Sequence, residues 1–216
     1  MARSRRTPLG PDHILDAAVA LADEAGLEAL SMRRLGQAVG VEAMSLYNHV
    51  ANKDAILDGM VARVFSQIEL PAQSGDWEEE LRRCAVSFHG ALRRHPWACS
   101  LVMAPASGHE ALAARMRYID ALLRTLREAG FTPEQAYHAY HAIDAHTVGF
   151  TMWELGHTSP WTEAAVDAAM RVVESGEFPY VFEHAQQHEL DHDVSGFEFG
   201  LDLIFDGLRQ LRGSGT

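Results

Sequence analysis

The sequence predicts an all-α protein: a small N-terminal helix-turn-helix unit followed by a larger helical part. Three observations carry that prediction. Apolar residues recur every three or four positions along most of the chain. Helix start and stop signals bracket these stretches, and no segment sustains the alternation of a half-buried strand. The 216 residues, 47% hydrophobic, suffice for one small domain plus a medium one.

The first helix is expected at 12–25, with Ile14, Ala18, Leu21 and Ala25 at helical spacing, Pro11 at its start and Gly26 at its end. Ser31 is a good N-cap for a second helix, 31–39, which buries Leu35, Ala38 and Val39. After the turn Gly40-Val41, a third helix at 42–49 turns Leu46 inward and presents Ala43, Ser45, Tyr47 and Asn48 outward. Asn52 caps a fourth helix, 53–69, through Ile56, Leu57, Met60, Val64 and Ile68.

Pro71-Ala72-Gln73-Ser74-Gly75 is the clearest linker. Asp76 with Glu79 then reads as a capping box opening a helix to about Arg94, which His95-Pro96 ends. The loop at 105–108 precedes a helix at 109–129, stopped at Gly130. Thr132-Pro133-Glu134-Gln135 supplies an N-cap, an N1 proline and a Gln at N3, the strongest helix start in the chain, and that helix should reach about Glu154. A shorter helix at 162–175 and a His-rich connection lead to a last helix at 197–211.

The net charge of −12 speaks against a nucleic-acid partner until the chain is divided. Residues 1–55 carry six basic and seven acidic groups, a net of −1, and the first nine residues alone are +3. The acidity belongs to the remainder, with 12 basic and 23 acidic groups. A nucleic-acid footprint needs local positive charge rather than a basic average. No run of about 18 apolar residues suggests a membrane span, and no apolar segment follows the N-terminal arginines to suggest export. Cys84 and Cys99 lack metal-type spacing and fit buried thiols in a reducing cytoplasm, where the chain is expected.

Two short helices joined by a tight, Gly-containing turn form the helix-turn-helix unit, whose second helix can enter a DNA major groove. The stretch Leu30 to Lys53, LSMRRLGQAVGVEAMSLYNHVANK, resembles the DNA-binding signature of the TetR family of transcriptional regulators. More weakly, Gly130 to Ala136, Thr147-Val148-Gly149 and the run from Phe197 to Leu208 resemble the C-terminal domain of its tetracycline-repressor subgroup.

The resemblance implies a DNA-binding domain at 1–52, a connecting helix at 53–70, and a ligand-binding and dimerisation domain at 71–216. It implies phosphate contacts from Ser31, Ser45, Tyr47 and Lys53. Arg33, Ala43 and Met44 fall at base-reading positions, with Asn48 and His49 beside them; His49 on its own residue type reads rather as packed and hydrogen-bonded. The Arg3-Arg5-Arg6 arm suits a minor groove equally well as it suits disorder. Phe197, Leu201, Ile204, Phe205 and Leu208, with Val148, would form a four-helix dimer interface, although that apolar stripe also suits closure of the monomer core. A two-fold dimer implies an inverted-repeat operator.

The mix of aromatic and polar groups in the larger part suits a hydrophobic effector oriented by a few hydrogen bonds. His95, Trp97, Met103, Tyr140, His141, Asp144 and Thr147 are the candidate contacts, with Phe88, Tyr137, Met152 and Trp153 nearby in kind. His95 lies where tetracycline repressors use a histidine against the drug. The metal-ligating histidine of that subgroup aligns with Ala145, so magnesium–tetracycline is not the implied effector, and an aromatic or polyketide-like molecule is.

The function expected is a ligand-responsive regulator, a repressor by the family's habit, released from its operator by a small molecule. No cofactor and no metal is expected for it. The alternative is a metal-responsive regulator or metal enzyme using His184, His188 and His192, spaced four apart, with Glu189, Asp191 and Asp193 beside them. His138, His141 and Asp144 share a helix face, but no nucleophile elbow, phosphate loop or HExxH accompanies them, so no enzyme is expected.

Overall fold

A computed structural model describes residues 10–72, 75–104, 108–157, 163–183 and 195–213, and these residues contain helices and no strand. The caps set the first boundaries. Pro11 occupies the first position of α1 (Pro11–Ala25), and Gly26 ends it at φ 75°. A 3₁₀ turn at Leu27–Ala29 leads to Ser31, whose hydroxyl accepts from the Arg34 N–H at 3.3 Å and starts α2 (Met32–Val39). Helix α3 (Ala43–Leu46) is a single turn, and Asn52 Oδ1 accepts from the Ala55 N–H at 2.8 Å to open α4 (Lys53–Ser66). Ile14, Ala18, Leu35, Leu46 and Ile56 close a small core among these helices.

The larger part comprises α5 (Trp77–Arg94), α6 (Ala98–Met103), α7 (His109–Glu128), α8 (Pro133–His157), α9 (Glu163–Val173) and α10 (Ser195–Gly213). Asp76 accepts from the Glu78 N–H at 2.8 Å, so α5 begins with a simple cap. Its acidic first turn and its Arg93 and Arg94 at the other end both suit the helix dipole. At α8 the full reciprocal box forms: the Thr132 N–H reaches Gln135 Oε1 at 2.9 Å and the Gln135 N–H reaches Thr132 Oγ1 at 3.2 Å. Helix α6 was not foreseen, because six residues between His95-Pro96 and Met103 are too few for a periodic signal.

Helix α8 packs on α5, α7 and α10, while α4 packs on α1 at one end and along α7. Phe65 of α4, Phe88 of α5 and Tyr118 of α7 form an aromatic cluster with centroids 5.2–5.8 Å apart. Trp77 meets Phe131 edge-on at 5.1 Å and Phe205 at 6.0 Å, and so fixes α10 over the start of α5.

This packing corrects the expected dimer stripe. Phe197, Leu201, Phe205 and Leu208 are all buried within the protomer, as is Val148, and Ile204 is half-buried. Phe197 meets His89 of α5 and Phe150 of α8, and Phe205 meets Trp77 of α5, so this stripe closes the core of its own chain. The outward face of α10 instead carries Phe199 and Leu203, exposed by 64% and 59%.

Candidate functional site

The turn between α2 and α3 is built on two glycines. Gly40 adopts the left-handed conformation, φ 74° and ψ 32°, which a residue with a Cβ resists. Gly36 faces the returning chain: the Val41 N–H donates to its carbonyl at 2.8 Å, and a Cβ on Gly36 would lie 2.8 Å from the Val41 carbonyl oxygen. With Leu35 and Leu46 fully buried beneath, the turn holds α3 rigidly against α2.

That frame brings the sequence-predicted DNA set to one end of the molecule. Arg33, Met44, Tyr47, Asn48, His49 and Lys53 are exposed, Ser31 is exposed at its cap, and Ala43 and Ser45 are half-buried. Two details differ from expectation. The regular part of α3 ends at Leu46, and residues 47–49 continue as turns through the Asn48 N–H to Ser45 O and the His49 N–H to Leu46 O. His49, expected to pack, is exposed, because its backbone turns it toward the cleft between α1, α4 and the start of α7. The Arg3-Arg5-Arg6 arm lies outside the described residues.

Several clefts border α4, and two of them lie among α4, α6, α7 and α8. The larger, about 170 Å³, is lined by Leu57, Val61 and Phe65 of α4, Leu101 and Val102 of α6, and Arg115 of α7, among others. The smaller, about 10 Å³, lies behind Phe65, Val102 and Arg115, which wall both, and reaches Met103, Tyr140 and Asp144. Tyr118 Oη donates to Asp144 Oδ1 at 3.1 Å. Burial raises the Asp144 carboxyl above its usual range, against the stabilising bonds from both tyrosines and the nearby Arg115 charge. Burial also lifts the Tyr140 phenol to about 12, so both phenols remain donors.

The candidate ligand residues therefore separate. Met103, Tyr140 and Asp144 reach the cavity. Thr147 does not: it is fully buried and its hydroxyl donates to the Ile143 carbonyl at 2.8 Å. His141 lies exposed on the outer face of α8, with Nδ1 2.8 Å from the Tyr137 carbonyl. Neither His95 nor Trp97 lines these two cavities; His95 borders a separate cleft of about 310 Å³ between α1 and the end of α4, and both residues join the two parts of the chain. Asp23 of α1 lies 2.8 Å from His95 Nδ1 and accepts from Trp97 Nε1 at 2.6 Å, while His95 Nε2 meets Gln67 at 2.9 Å.

The sequence reading missed Leu57, Val61 and Phe65, whose helical spacing reads as ordinary core. It also missed Arg115 and Tyr118, where the available signal was a cation set among the apolar positions Ala111, Ala114 and Leu122 of one helix.

Helix α4 is itself tied at two points, Arg63 and Asp58. Arg63 bridges Asp12 and Asp16 of α1 at 3.1 Å each. Asp58 accepts from the Glu110 and Ala111 N–H groups, at 3.1 and 3.3 Å, and so caps the start of α7. The helix that begins at Lys53 on the candidate DNA face thus forms the cavity wall within three turns.

No group of three or more metal-ligating side chains lies within reach of one ion among the described residues, and His184, His188 and His192 lie outside them. No helix among the described residues is long and apolar enough to cross a membrane.

Comparison with known proteins agrees with this organisation. The profile of bacterial regulatory proteins of the tetR family matches residues 14–60, and that of the tetracyclin repressor-like C-terminal domain matches residues 70–212. The HTH-type transcriptional repressor DrrR1 of Streptomyces coeruleorubidus is 33% identical, over 96% of this chain and 82% of its own. Among solved structures, a possible TetR family transcriptional regulator from Streptomyces coelicolor A3(2) is 31% identical with a TM-score of 0.76, covering 94% of this chain and 100% of that one. The Streptomyces coelicolor TetR family protein ActR in complex with actinorhodin is 26% identical with a TM-score of 0.74, covering 97% and 100%. With a family profile matched in each part and that repressor aligned over 96% of this chain, the chain belongs to the TetR family of bacterial transcriptional regulators.

Proposed function

We propose that this protein is a repressor that binds an inverted-repeat operator as a homodimer and is released by a small aromatic effector. The carrying observation is the double service of α4, whose first turn holds Lys53 beside the helix-turn-helix and whose next turns wall the larger cavity. A ligand pressing on Val61 or Phe65 moves the same rigid rod that positions α1 through Arg63. Ligand and DNA then bind antagonistically and reciprocally, with a coupling of roughly 1–3 kcal/mol. The relative solved with actinorhodin supports an aromatic effector of that kind.

On the DNA face, Ser31, Ser45, Tyr47 and Lys53 are assigned to phosphate. Arg33, Asn48 and His49 are assigned to base edges, with Ala43 and Met44 suited to a thymine methyl. Met44, 75% exposed, leaves most of its apolar surface open to water, which favours that use. The homodimer is assigned to the outer faces of α8 and α10. Tyr137, His141, Ala145, Gly149 and Trp153 recur every fourth residue on exposed positions of α8, and Phe199 and Leu203 do so on α10. Small Ala145 and Gly149 permit close helix approach between copies.

Sequencing the genomic fragments that the purified protein retains tests the reading. Enrichment of one inverted repeat is expected; no enrichment at low salt, where phosphate contacts are strongest, would refute it.

A further inference from the structure

We propose that the effector carries a carboxylate, and that Arg115 is the residue that reads it. The inference rests on the assignment of these cavities to the effector.

The acidic groups near the cavities are already served. Asp58 accepts two backbone N–H groups at the start of α7, Asp144 accepts from Tyr118, and Asp54 is exposed in the first turn of α4, where the helix dipole and water both suit it. Arg115 is different. A guanidinium offers five N–H donors in a fixed fork. Among the described residues its hydrogen bond is a single one, Nη1 to the Ala104 carbonyl at 3.3 Å, and no carboxylate lies within ion-pair distance. It is half-buried and lines both cavities. Asp144 shares the field of Arg115 but forms no direct ion pair with it, so an incoming carboxylate, bidentate on the fork, supplies a pairing that the described residues do not.

Apart from Asp54 and Asp58, the rest of the larger cavity's lining suits an apolar ligand body. Leu57, Val61, Phe65 and Val102 offer apolar faces suited to a flat ring system. The larger cavity's 170 Å³ is below the roughly 300–1,000 Å³ usual for ligand pockets. Phe65, Val102 and Arg115 are the wall it shares with the smaller one, so a guanidinium drawn to a carboxylate joins the two spaces. A ligand hydroxyl or keto group at the far end then meets the Tyr118–Asp144 pair.

The test uses two probes of one shape, 2-naphthoate and neutral 2-naphthamide, titrated calorimetrically into the full-length protein. Wild type should prefer the naphthoate by about tenfold or more, as a charge-assisted bidentate pair requires. Arg115→Gln should erase that preference, with a loss of naphthoate affinity much larger than any change in naphthamide affinity. Arg115→Lys, which keeps the charge without the fork, should retain only part of it. If the glutamine variant fails to fold, the lysine variant decides alone, and an undiminished preference there overturns the proposal. So does equal binding of the two probes by wild type, a preference that survives Arg115→Gln, or no naphthoate binding to wild type. Retention of genomic DNA, measured without probe, is a separate readout. Its loss would refute the regulator reading and leave the charge selectivity of the cavity standing.

Discussion

Replacing Asp23 by alanine probes the joint between the two parts of the chain. The carboxylate of Asp23 accepts from Trp97 Nε1 at 2.6 Å and lies 2.8 Å from His95 Nδ1. Hydrogen bonds to an ionised group contribute about 1.5–3 kcal/mol when sheltered. The Asp23 side chain is 32% exposed, so the His95 contact belongs nearer the roughly 0–1 kcal/mol of a surface ion pair. Trp97 is different, being 7% exposed, and truncation of Asp23 strands its indole N–H at a cost of about 1–3 kcal/mol. Together Asp23→Ala should lose about 2–3 kcal/mol of stability. A double-mutant cycle with His95→Ala should show a coupling of about 0.5–1 kcal/mol. Urea unfolding of the four proteins at one fixed protein concentration measures both, since association shifts apparent stability. A coupling below about 0.3 kcal/mol would mean the joint is not an energetic unit. The same series decides the role of His95. Its ring lies outside both cavities, so His95→Ala should leave naphthoate affinity unchanged. A weakened affinity in a normally stable variant would return His95 to the ligand.

Three further outcomes are expected. Gly36→Ala forces a Cβ to 2.8 Å from the Val41 carbonyl oxygen and 3.1 Å from the Ala43 nitrogen, both backbone atoms that cannot swing aside. Operator retention should fall with a stability loss of about 1–3 kcal/mol, and wild-type retention would show that the turn relaxes freely. Tyr47→Ala removes an exposed ring, so stability should change by no more than about 0.5 kcal/mol while DNA retention is lost; loss of dimerisation instead would refute the division into two parts. Asp144 gives a pH signature. Burial raises its folded pKa above the ordinary 3.8, so the folded chain keeps a proton that the unfolded chain has released. The contribution of this group to stability therefore falls as pH rises from about 3.8 through the raised value. Asp144→Asn keeps an oxygen for the Tyr118 hydroxyl and should gain on wild type between about pH 4 and pH 7; a constant difference over that range would refute the assignment.

How much of this was legible in the sequence depended on how local each signal is. The caps at Ser31, Asn52 and Thr132, the Gly40 turn and the long periodic helices are local, and the structure places them where the residues imply. The exposure of the residues assigned to DNA followed from the same locality: a short helix displays its outward residues wherever its inward Leu46 is anchored. The cavity did not follow, because whether an apolar residue fills space or borders it is decided by its neighbours on other helices. Phe65 and Phe88 are indistinguishable as sequence positions; both are buried, yet Phe65 alone walls the larger cavity as well as the smaller.

The same limit explains the inverted dimer stripe. Phe197, Leu201, Phe205 and Leu208 form the more apolar face of α10, and pattern alone assigns the more apolar face to the more important interface. Burial runs the other way. The protomer closes first over its own core, with Phe197 stacked 4.1 Å from the His89 ring and Phe205 against Trp77, and a second copy can use only what remains. What remains is exposed surface such as Phe199 and Leu203 on α10 and Ala145 and Gly149 on α8. An interface of that composition depends on close backbone approach as much as on apolar area. Gly149→Leu should therefore break the dimer more completely than Phe199→Ala, and sedimentation of the two variants separates the cases. A greater loss from Phe199→Ala would show that apolar area dominates after all.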